Sequence, residues 1–165
     1  MSHSFSRNNL YISKVDGLRS SKHVHAYEPP NAILESILYC EDLPSCGHFY
    51  ENILGLTLFS HQPGRHRFYR LSRGMLLLFC AKATSSETIM ISGNEIPKHG
   101  AEGAGHIAFS VPANQLKSTR DRLLSFGVAI ESEVSWPGGG HSIYCRDPAG
   151  NSIEFVTPEL WFGER

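Results

Sequence analysis

The sequence predicts an α+β fold in which two tandem βαβββ modules form a curved mixed sheet around a pocket. After residue 30, the pattern of one strand, one helix and three strands occurs twice, in about fifty residues each time. Each copy alone would leave one face of its sheet uncovered, so pairing the two sheets encloses a pocket and puts the helices outside. We therefore expect a domain over residues 31–165, with modules at about 32–82 and 104–158 and a polar linker, an ordered surface loop, at 83–103.

The elements of the first module follow from its apolar periodicity and its turn residues. The run "ILESILYC" (33–40) alternates as a strand does, and "EDLPSCGHFYENILGL" (41–56) predicts a helix. Pro44 fits the first turn of that helix, Phe49 and Ile53 lie four residues apart, and Gly55 ends it. Three strands follow: "LTLFS", "RHRFYRL" and "GMLLLFC".

The second module repeats this order. The run "GHIAFSV" (105–111) predicts its opening strand, and "PANQLKSTRDRLLSFG" (112–127) predicts an amphipathic helix. Leu116, Leu123 and Leu124 are expected on the buried face of that helix. Three more strands follow, "VAIESEV", "HSIYCR" and "NSIEFVT", with "PGGG" and "DPAG" as the turns between them.

The composition limits the classes of function. A chain of 165 residues with a net charge of −1 offers no basic surface for nucleic acid or an anionic membrane, and no apolar run has the length of a membrane span. Residues 1–30 are polar and lack the apolar core of a secretory signal, so we expect a disordered or surface-draped extension, with an organelle transit peptide as the alternative. The four cysteines are expected to be free thiols in a reducing, cytoplasmic compartment.

Aligning the two modules singles out three side chains of metal-ligating type. Glu35 and His106 occupy the same position in the opening strands, and Glu154 in the last strand aligns with Leu78. Alternation along the strands places His106 and Glu154 on the smaller, more polar face. Two carboxylates and an imidazole converging in a pocket would bind a divalent cation, which also neutralises buried charge. Taken singly, a strand glutamate more often meets a lysine or arginine, and a strand histidine is more often simply hydrogen-bonded.

Three segments, "ESILYCEDLPSCGHFYENILGL", "GAGHIAFSV" and "GGGHSIYCRDPAGNSIEFVTP", resemble the vicinal oxygen chelate (VOC) superfamily. That superfamily includes glyoxalase I, fosfomycin-resistance proteins, extradiol dioxygenases, methylmalonyl-CoA epimerase and bleomycin-resistance proteins. The likeness covers about residues 32–158 and implies the glyoxalase/bleomycin resistance/dihydroxybiphenyl dioxygenase fold. It also implies that Glu35, His106 and Glu154 hold one divalent ion (Mn, Zn, Ni, Mg or Fe). Finally, it implies a homodimer, in which the site can be shared between subunits.

The resemblance leaves several reactions open. Glyoxalase I generally has a glutamate as fourth ligand where this chain has Leu78. Extradiol dioxygenases bind Fe(II) with two histidines and one carboxylate, and Glu35 stands in place of one of those histidines. Fosfomycin-resistance proteins share the three-ligand geometry, and Tyr144 matches their phosphonate-binding tyrosine, whereas Ile37 replaces a threonine of their site. Bleomycin-resistance proteins have the fold without the metal ligands.

We therefore expect an enzyme whose metal ion acts as a Lewis acid on a small substrate with vicinal oxygens. It would be a glyoxalase-like lyase or isomerase, or a fosfomycin-resistance-like transferase or hydrolase, with glutathione as a candidate thiol co-substrate. The alternatives are an extradiol-type dioxygenase and a metal-free protein that sequesters a ligand. The expected substrate contacts are Tyr144, His141, Trp136 and Tyr39, with His141 also a candidate general base and the "PGGG" loop after Trp136 a candidate lid.

Overall fold

A computed structural model describes residues 27–163, and its secondary structure has the predicted order twice. The first module contains β1 (Glu35–Tyr39), α1 (Leu43–His48), a π-helical turn (Phe49–Ile53), β2 (Thr57–Gln62), β3 (His66–Arg70) and β4 (Met75–Phe79). A connecting segment contains α2 (Ala81–Ser86), β5 (Ile89–Ile91) and β6 (Asn94–Ile96). The second module contains β7 (His106–Ser110), α3 (Ala113–Ser125), β8 (Ser132–Ser135), β9 (His141–Arg146) and β10 (Ser152–Val156), and α4 (Glu159–Phe162) follows it.

The strands form two four-stranded mixed sheets with the same topology. Their orders are β1-β4-β3-β2 and β7-β10-β9-β8, and in each sheet the opening strand runs parallel to the last strand of its module. The other neighbours are antiparallel. The predicted fold class is thereby confirmed. Almost all of the predicted extension, residues 1–26, lies outside the described residues.

The opening strands of the two modules are equivalent, as predicted. Glu35 pairs with Met75 at the start of β4, and His106 pairs with Ser152 at the start of β10. Glu35 and His106 are each the first residue of an opening strand. A parallel pair with the same register in both sheets places these two side chains at matching positions.

The residue equivalent to Glu154 in the first module is Leu77, because each lies two positions into its strand. The prediction aligned Leu78 with Glu154 by counting from the turn glycines, and it is wrong by one residue. Asn151 adds a residue between Gly150 and β10 that has no counterpart before β4. A leucine stands at either position, so the first sheet supplies no fourth oxygen ligand there.

The two faces of the second sheet differ in polarity, as the alternation predicts. Ile153 and Phe155 on β10 are buried in the hydrophobic core together with Leu123 of α3. Leu116 packs partly against this core, whereas Leu124, predicted on the buried face, is exposed. We call the opposite face of the sheet the site face; its residues on β7, β9 and β10 are His106, Ala108, Ser110, Ser142, Tyr144, Arg146, Ser152, Glu154 and Val156.

The helix predicted over residues 41–56 is two different helical segments. Pro44 lies in the first turn of α1, as predicted, and Asp42 caps that turn by accepting a hydrogen bond from the backbone N–H of Ser45 (3.0 Å). The chain then widens into the π-helical turn. This turn carries Tyr50, whose hydroxyl donates to Oδ2 of Asp147 in the second module (2.8 Å).

The connecting segment, predicted to be an ordered surface loop, contains a short helix and a β-hairpin. It begins with α2, which starts within the end of the predicted first module, and continues as the hairpin of β5 and β6. Serine and threonine hydroxyls in α2 donate to carbonyl groups of the same helix, which provides hydrogen-bond partners for these polar side chains. No helix of residues 27–163 is long and apolar enough to cross a membrane.

The prediction of four free thiols is wrong for one pair. Cys40 and Cys46 form a disulfide between the end of β1 and α1, with their Cα atoms 6.9 Å apart. The reason is that the cap of α1 folds the chain back on itself after β1, so two residues six positions apart meet. Cys80 and Cys145 are free.

Asn151 joins the two modules at the point where β1 meets β7. Its Oδ1 accepts a hydrogen bond from the backbone N–H of Gly105 (2.7 Å), and its Nδ2 donates to the carbonyl of Tyr39 (3.1 Å) and to Oδ2 of Asp147 (2.9 Å). A Cβ atom at Gly105 would lie 2.8 Å from a methyl carbon of Leu38, so a larger residue here would displace the Leu38 side chain. Asn151 of the "DPAGN" motif therefore links the start of the "GHIAF" strand to the end of β1 in the first module.

Candidate functional site

The centre of the candidate site is a buried carboxylate beside an imidazole. Glu154 is 6% exposed, and its Oε2 lies 3.3 Å from Nε2 of His106. The register explains this contact, since both residues lie on the site face of adjacent strands. Half of the His106 side chain remains exposed, so the pair faces an opening. The structure thus brings together two of the three predicted ligands.

The second oxygen of Glu154 is fixed by hydroxyl groups from β9. Ser142 Oγ donates to Oε1 at 2.5 Å, and Tyr144 Oη donates to the same atom at 2.8 Å. Ser142 in turn accepts a hydrogen bond from the indole Nε1–H of Trp136 (2.8 Å). With Oε1 occupied in this way, Oε2 is the atom directed toward His106. A carboxylate held by charge-assisted hydrogen bonds is more rigid than a free one.

Tyr144, predicted to contact substrate, lies beside His106 and Glu154 on β9. Its ring is stacked near that of His106, with 6.4 Å between the ring centres. Burial, and next the hydrogen bond to Glu154, raise the pKa of the Tyr144 phenol above its usual value. The hydroxyl therefore stays protonated and donates its hydrogen to the carboxylate.

Glu35 is not next to this pair within one chain. The end of β1 meets the beginning of β7, since Asn151 connects the carbonyl of Tyr39 to the N–H of Gly105. Glu35 begins β1, four residues before Tyr39, and four residues of strand span about 13 Å. Among residues 27–163, no group of three His, Cys, Asp or Glu side chains lies close enough to hold a metal ion.

His141 lies on the opposite face of β9 from the candidate site. Strand alternation puts Ser142 and Tyr144 on the site face and His141 on the other. The His141 ring is in hydrogen-bond contact with Ser135 Oγ through Nδ1 (3.1 Å). Ser135 and His141 are register partners on neighbouring strands. The structure therefore does not bring His141 to the Glu154 carboxylate.

Tyr39 ends β1 where the two sheets meet, beside an open groove of about 920 Å³. Its hydroxyl is hydrogen-bonded to Nδ1 of His99 in the connecting segment (2.8 Å). Burial raises the pKa of Tyr39. Among the described side chains, none of the hydrogen bonds joins Tyr39 to the His106–Glu154 pair. The groove is also lined by Lys82, Ser85 and Glu102.

The chemistry of the donors fits a divalent cation. Within residues 27–163, no lysine or arginine forms an ion pair with Glu154, and its buried carboxyl group contacts two hydroxyl groups and the His106 imidazole. Two arginines of the first module are paired elsewhere: Arg65, in the turn before β3, with Glu87, and Arg67 of β3 with Glu51. A neutral imidazole and a carboxylate oxygen are suitable ligands for zinc, manganese or nickel. Two donors leave the coordination incomplete without a third.

Ser142 is the residue of the site that the sequence did not single out. A serine on a strand has no distinctive spacing, and its function here comes from lying across from β10 and beneath the Trp136 indole. The alternation "HSIYCR" places Ser142 and Tyr144 on one face, which is the available signal. The alternation cannot show that Ser142 on β9 contacts Glu154 on the neighbouring strand β10.

One protein-family model matches most of the chain. The Glyoxalase/Bleomycin resistance protein/Dioxygenase superfamily matches residues 31–155, which span both modules. No protein with a curated function matches the sequence.

Solved structures with the same fold include one with substantial sequence similarity. The crystal structure of lactoylglutathione lyase from Agrobacterium tumefaciens has 37% identity and a TM-score of 0.75, covering 82% of this chain and 99% of that chain. A glyoxalase/bleomycin resistance protein/dioxygenase from Nocardioides has 23% identity and a TM-score of 0.61, covering 80% and 86%. A fosfomycin-resistance protein from Listeria monocytogenes has 17% identity and a TM-score of 0.57, covering 78% and 94%. The last two show similarity of fold alone.

Proposed function

Because the chain belongs to the Glyoxalase/Bleomycin resistance protein/Dioxygenase superfamily, we propose that it is a metal-dependent lyase or isomerase acting on a small substrate with vicinal oxygens. The observation that carries this proposal is the Glu154–His106 pair. A carboxylate that is 6% exposed, with one oxygen fixed by two hydroxyls and the other directed toward an imidazole, is arranged to ligate a cation.

Glu35 of a second copy supplies the third donor in this proposal. Glu35 is exposed at the start of β1 and lies away from His106 in its own chain. A homodimer in which the first sheet of one subunit covers the site face of the other would bring the two together. A symmetric pair of this kind forms two identical sites.

The metal would supply Lewis-acid polarisation of adjacent substrate oxygens. The chain's own residues do the positioning. His106 presents Nε2 and Glu154 presents Oε2, while Ser142 and Tyr144 hold Oε1 away from the opening. The buried leucine at position 77 leaves the equivalent place in the first sheet without a ligand, so a metal held here would have fewer protein ligands and could take substrate oxygens.

A glyoxalase-like reaction is better supported than a fosfomycin-resistance-like one. The structure with 37% identity is a lactoylglutathione lyase, so we propose that the substrate is an adduct of a dicarbonyl compound with a thiol such as glutathione. The Tyr144 hydroxyl donates its single hydrogen to Glu154 and is therefore engaged, whereas a phosphonate-binding role would need it free. Tyr39, beside the groove, remains a proposed substrate contact.

The first experiment measures metal content. Protein purified without chelators should contain a divalent metal in a near-stoichiometric amount, and Glu35→Ala, His106→Ala and Glu154→Ala should each lose most of it. His141→Ala and Glu95→Ala are the matched controls, because His141 lies on the opposite face of β9 and Glu95 is exposed in the β5–β6 hairpin. Full metal retention in all three test variants would rule out the proposed site.

The second experiment tests sharing between subunits. Glu35→Ala and Glu154→Ala chains are co-expressed with different tags, and the mixed dimer is purified. A shared arrangement leaves one intact site in each mixed dimer and restores metal binding, whereas three ligands from one chain would leave none.

The third experiment tests the reaction. Turnover of a dicarbonyl–glutathione adduct to a thioester is followed by absorbance, and catechols and epoxides are the comparison substrates. A metal-loaded protein that converts none of the adducts would exclude the glyoxalase-like reaction.

A further inference from the structure

Trp136, expected from the sequence to contact substrate, has its polar atom engaged with the protein instead. Its indole Nε1–H donates to Ser142 Oγ at 2.8 Å, and Ser142 Oγ donates to Glu154 Oε1 at 2.5 Å. Ser142 is 1% exposed, so water does not replace either contact. A hydroxyl has one hydrogen to donate, and the indole N–H can only donate, which fixes the direction of the chain from Trp136 to Glu154.

The backbone around Trp136 holds the indole in place. The Trp136 N–H donates to the carbonyl of Gly140 (3.1 Å), and the Gly139 N–H donates to the carbonyl of Trp136 (3.0 Å), so "WPGGG" is a closed turn. Gly140 has a φ of +90°, and a Cβ atom there would lie 2.8 Å from the backbone nitrogen of Leu160. The turn therefore packs against α4, so the "PGGG" segment, predicted as a candidate lid, is held by contacts with its own turn and with α4.

We propose that Trp136 is a positioning residue that sets the affinity of the metal site by orienting Glu154 through Ser142. This inference rests on the proposed metal-binding function. The indole polarises the Ser142 hydroxyl and prevents it from rotating, since its oxygen must accept from Trp136 while its hydrogen points at Oε1. Oε1 is then fully occupied, and Oε2 is held in the direction of Nε2 of His106.

The test compares metal affinities of four proteins by competition with a chelating dye, using Zn²⁺ as the probe. Partners that orient a ligand change metal affinity by roughly 10- to 100-fold when removed. We expect Ser142→Ala to weaken Zn²⁺ binding by at least about 10-fold and Trp136→Phe by about 3- to 10-fold. In the double variant, Trp136→Phe should add nothing to the effect of Ser142→Ala, because the indole acts only through that hydroxyl.

Trp161→Phe is the matched control, since Trp161 is 69% exposed on α4 and should not affect Zn²⁺ affinity. Equal affinity of the wild type and Trp136→Phe, or additive effects of Trp136→Phe and Ser142→Ala, would overturn the proposal. A wild-type protein that binds no Zn²⁺ would instead overturn the proposed function, so the two failures are distinguishable.

A second measurement leaves the hydrogen bonds from Trp136 to Ser142 and from Ser142 to Glu154 intact. In the Trp161→Phe protein, Trp136 is the single tryptophan, since the chain contains two. Zn²⁺ is diamagnetic and does not quench fluorescence by paramagnetism. Saturation with Zn²⁺ should change the wavelength or intensity of the Trp136 emission, because two hydrogen bonds connect the indole to the metal ligand Glu154. Glu154→Gln in the same background should abolish the response. Unchanged emission in a protein shown to bind Zn²⁺ would overturn the proposal even where Trp136→Phe fails to fold.

Discussion

The backbone N–H of Gly105 donates a 2.7 Å hydrogen bond to the side chain of Asn151, forty-six residues away. This bond fixes where the second module begins, and hence where His106 enters the site face. The other end of the Asn151 amide holds the last residue of β1. Asn151 is therefore one of the buried side chains that set the relative placement of the two sheets, together with Tyr50, which bonds to Asp147.

Replacing Asn151 with alanine should lower the free energy of unfolding by about 2–4 kcal/mol, because it removes the buried amide that pairs with the partly buried Gly105 N–H and Tyr39 carbonyl and with Asp147. Urea denaturation measures the change. Asn94→Ala is the control, as Asn94 is exposed in the β5–β6 hairpin and should change stability by less than about 0.5 kcal/mol. Equal stabilities of the two variants would show that Asn151 does not join the modules.

The disulfide between Cys40 and Cys46 predicts the thiol count. Denatured protein, prepared without reductant, should present the thiols of Cys80 and Cys145 only, and reduction should release the other two. A Cys40→Ser, Cys46→Ser double variant should be less stable by about 2 kcal/mol, the loop-closure contribution expected for so short a loop. Cys80→Ser is the control. Four reactive thiols before reduction would contradict the pairing.

Acid should destabilise the fold through His66. Burial, and next the neighbouring charges of Arg65 and His61, lower the pKa of His66 below its ordinary value. The unfolded chain then binds the proton more readily, so this contribution to stability is present above about pH 6.5 and is lost as the pH falls toward the folded-state pKa. The ring stacks on Phe68, with 4.1 Å between ring centres.

The variant His66→Gln should therefore lose less unfolding free energy than the wild type between about pH 7.5 and pH 5. Urea unfolding across this range measures it, with His141→Gln as the control at an exposed strand end. If the wild type and His66→Gln have parallel pH profiles, the titration of His66 is not coupled to folding.

The register places Leu77, and not Leu78, at the position equivalent to Glu154, and a substitution can test this. Leu77→Glu should raise Zn²⁺ affinity, because it adds a carboxylate on the same face as Glu35. Without metal it should be less stable by at least about 2 kcal/mol, since the residue is buried. Isothermal titration calorimetry and urea unfolding measure the two effects.

Leu78→Glu is the matched control for that experiment. Leu78 lies fully buried in the hydrophobic core on the other face of β4, so its carboxylate should destabilise the protein with no gain in affinity. A gain in affinity for Leu78→Glu and none for Leu77→Glu would contradict the register.

Much of the fold follows from local patterns in the sequence. Alternating apolar runs predicted the main strands to within a few residues, and the duplication predicted two equivalent sheets. The patterns failed where local structure depends on contacts from elsewhere. The π-helical turn carries Tyr50, which bonds to Asp147 of the other module, and the β5–β6 hairpin is too short to have a period.

Alternation along the strands was enough to predict the strand faces and to place His106 and Glu154 on the polar one, because side chains alternate with a period of two whatever the partners. Tyr144 was predicted from the family resemblance. The hydrogen bonds from Trp136 to Ser142 and from Ser142 to Glu154 follow from the folded structure and not from any pattern along the chain, since they cross between strands and turns. The tertiary structure also separated Glu35 from the pair within one chain, because Asn151 joins the opposite end of β1 to β7. Hydrogen bonds between strands, and the direction in which two sheets meet, produce no periodic pattern of residues from which they could be predicted.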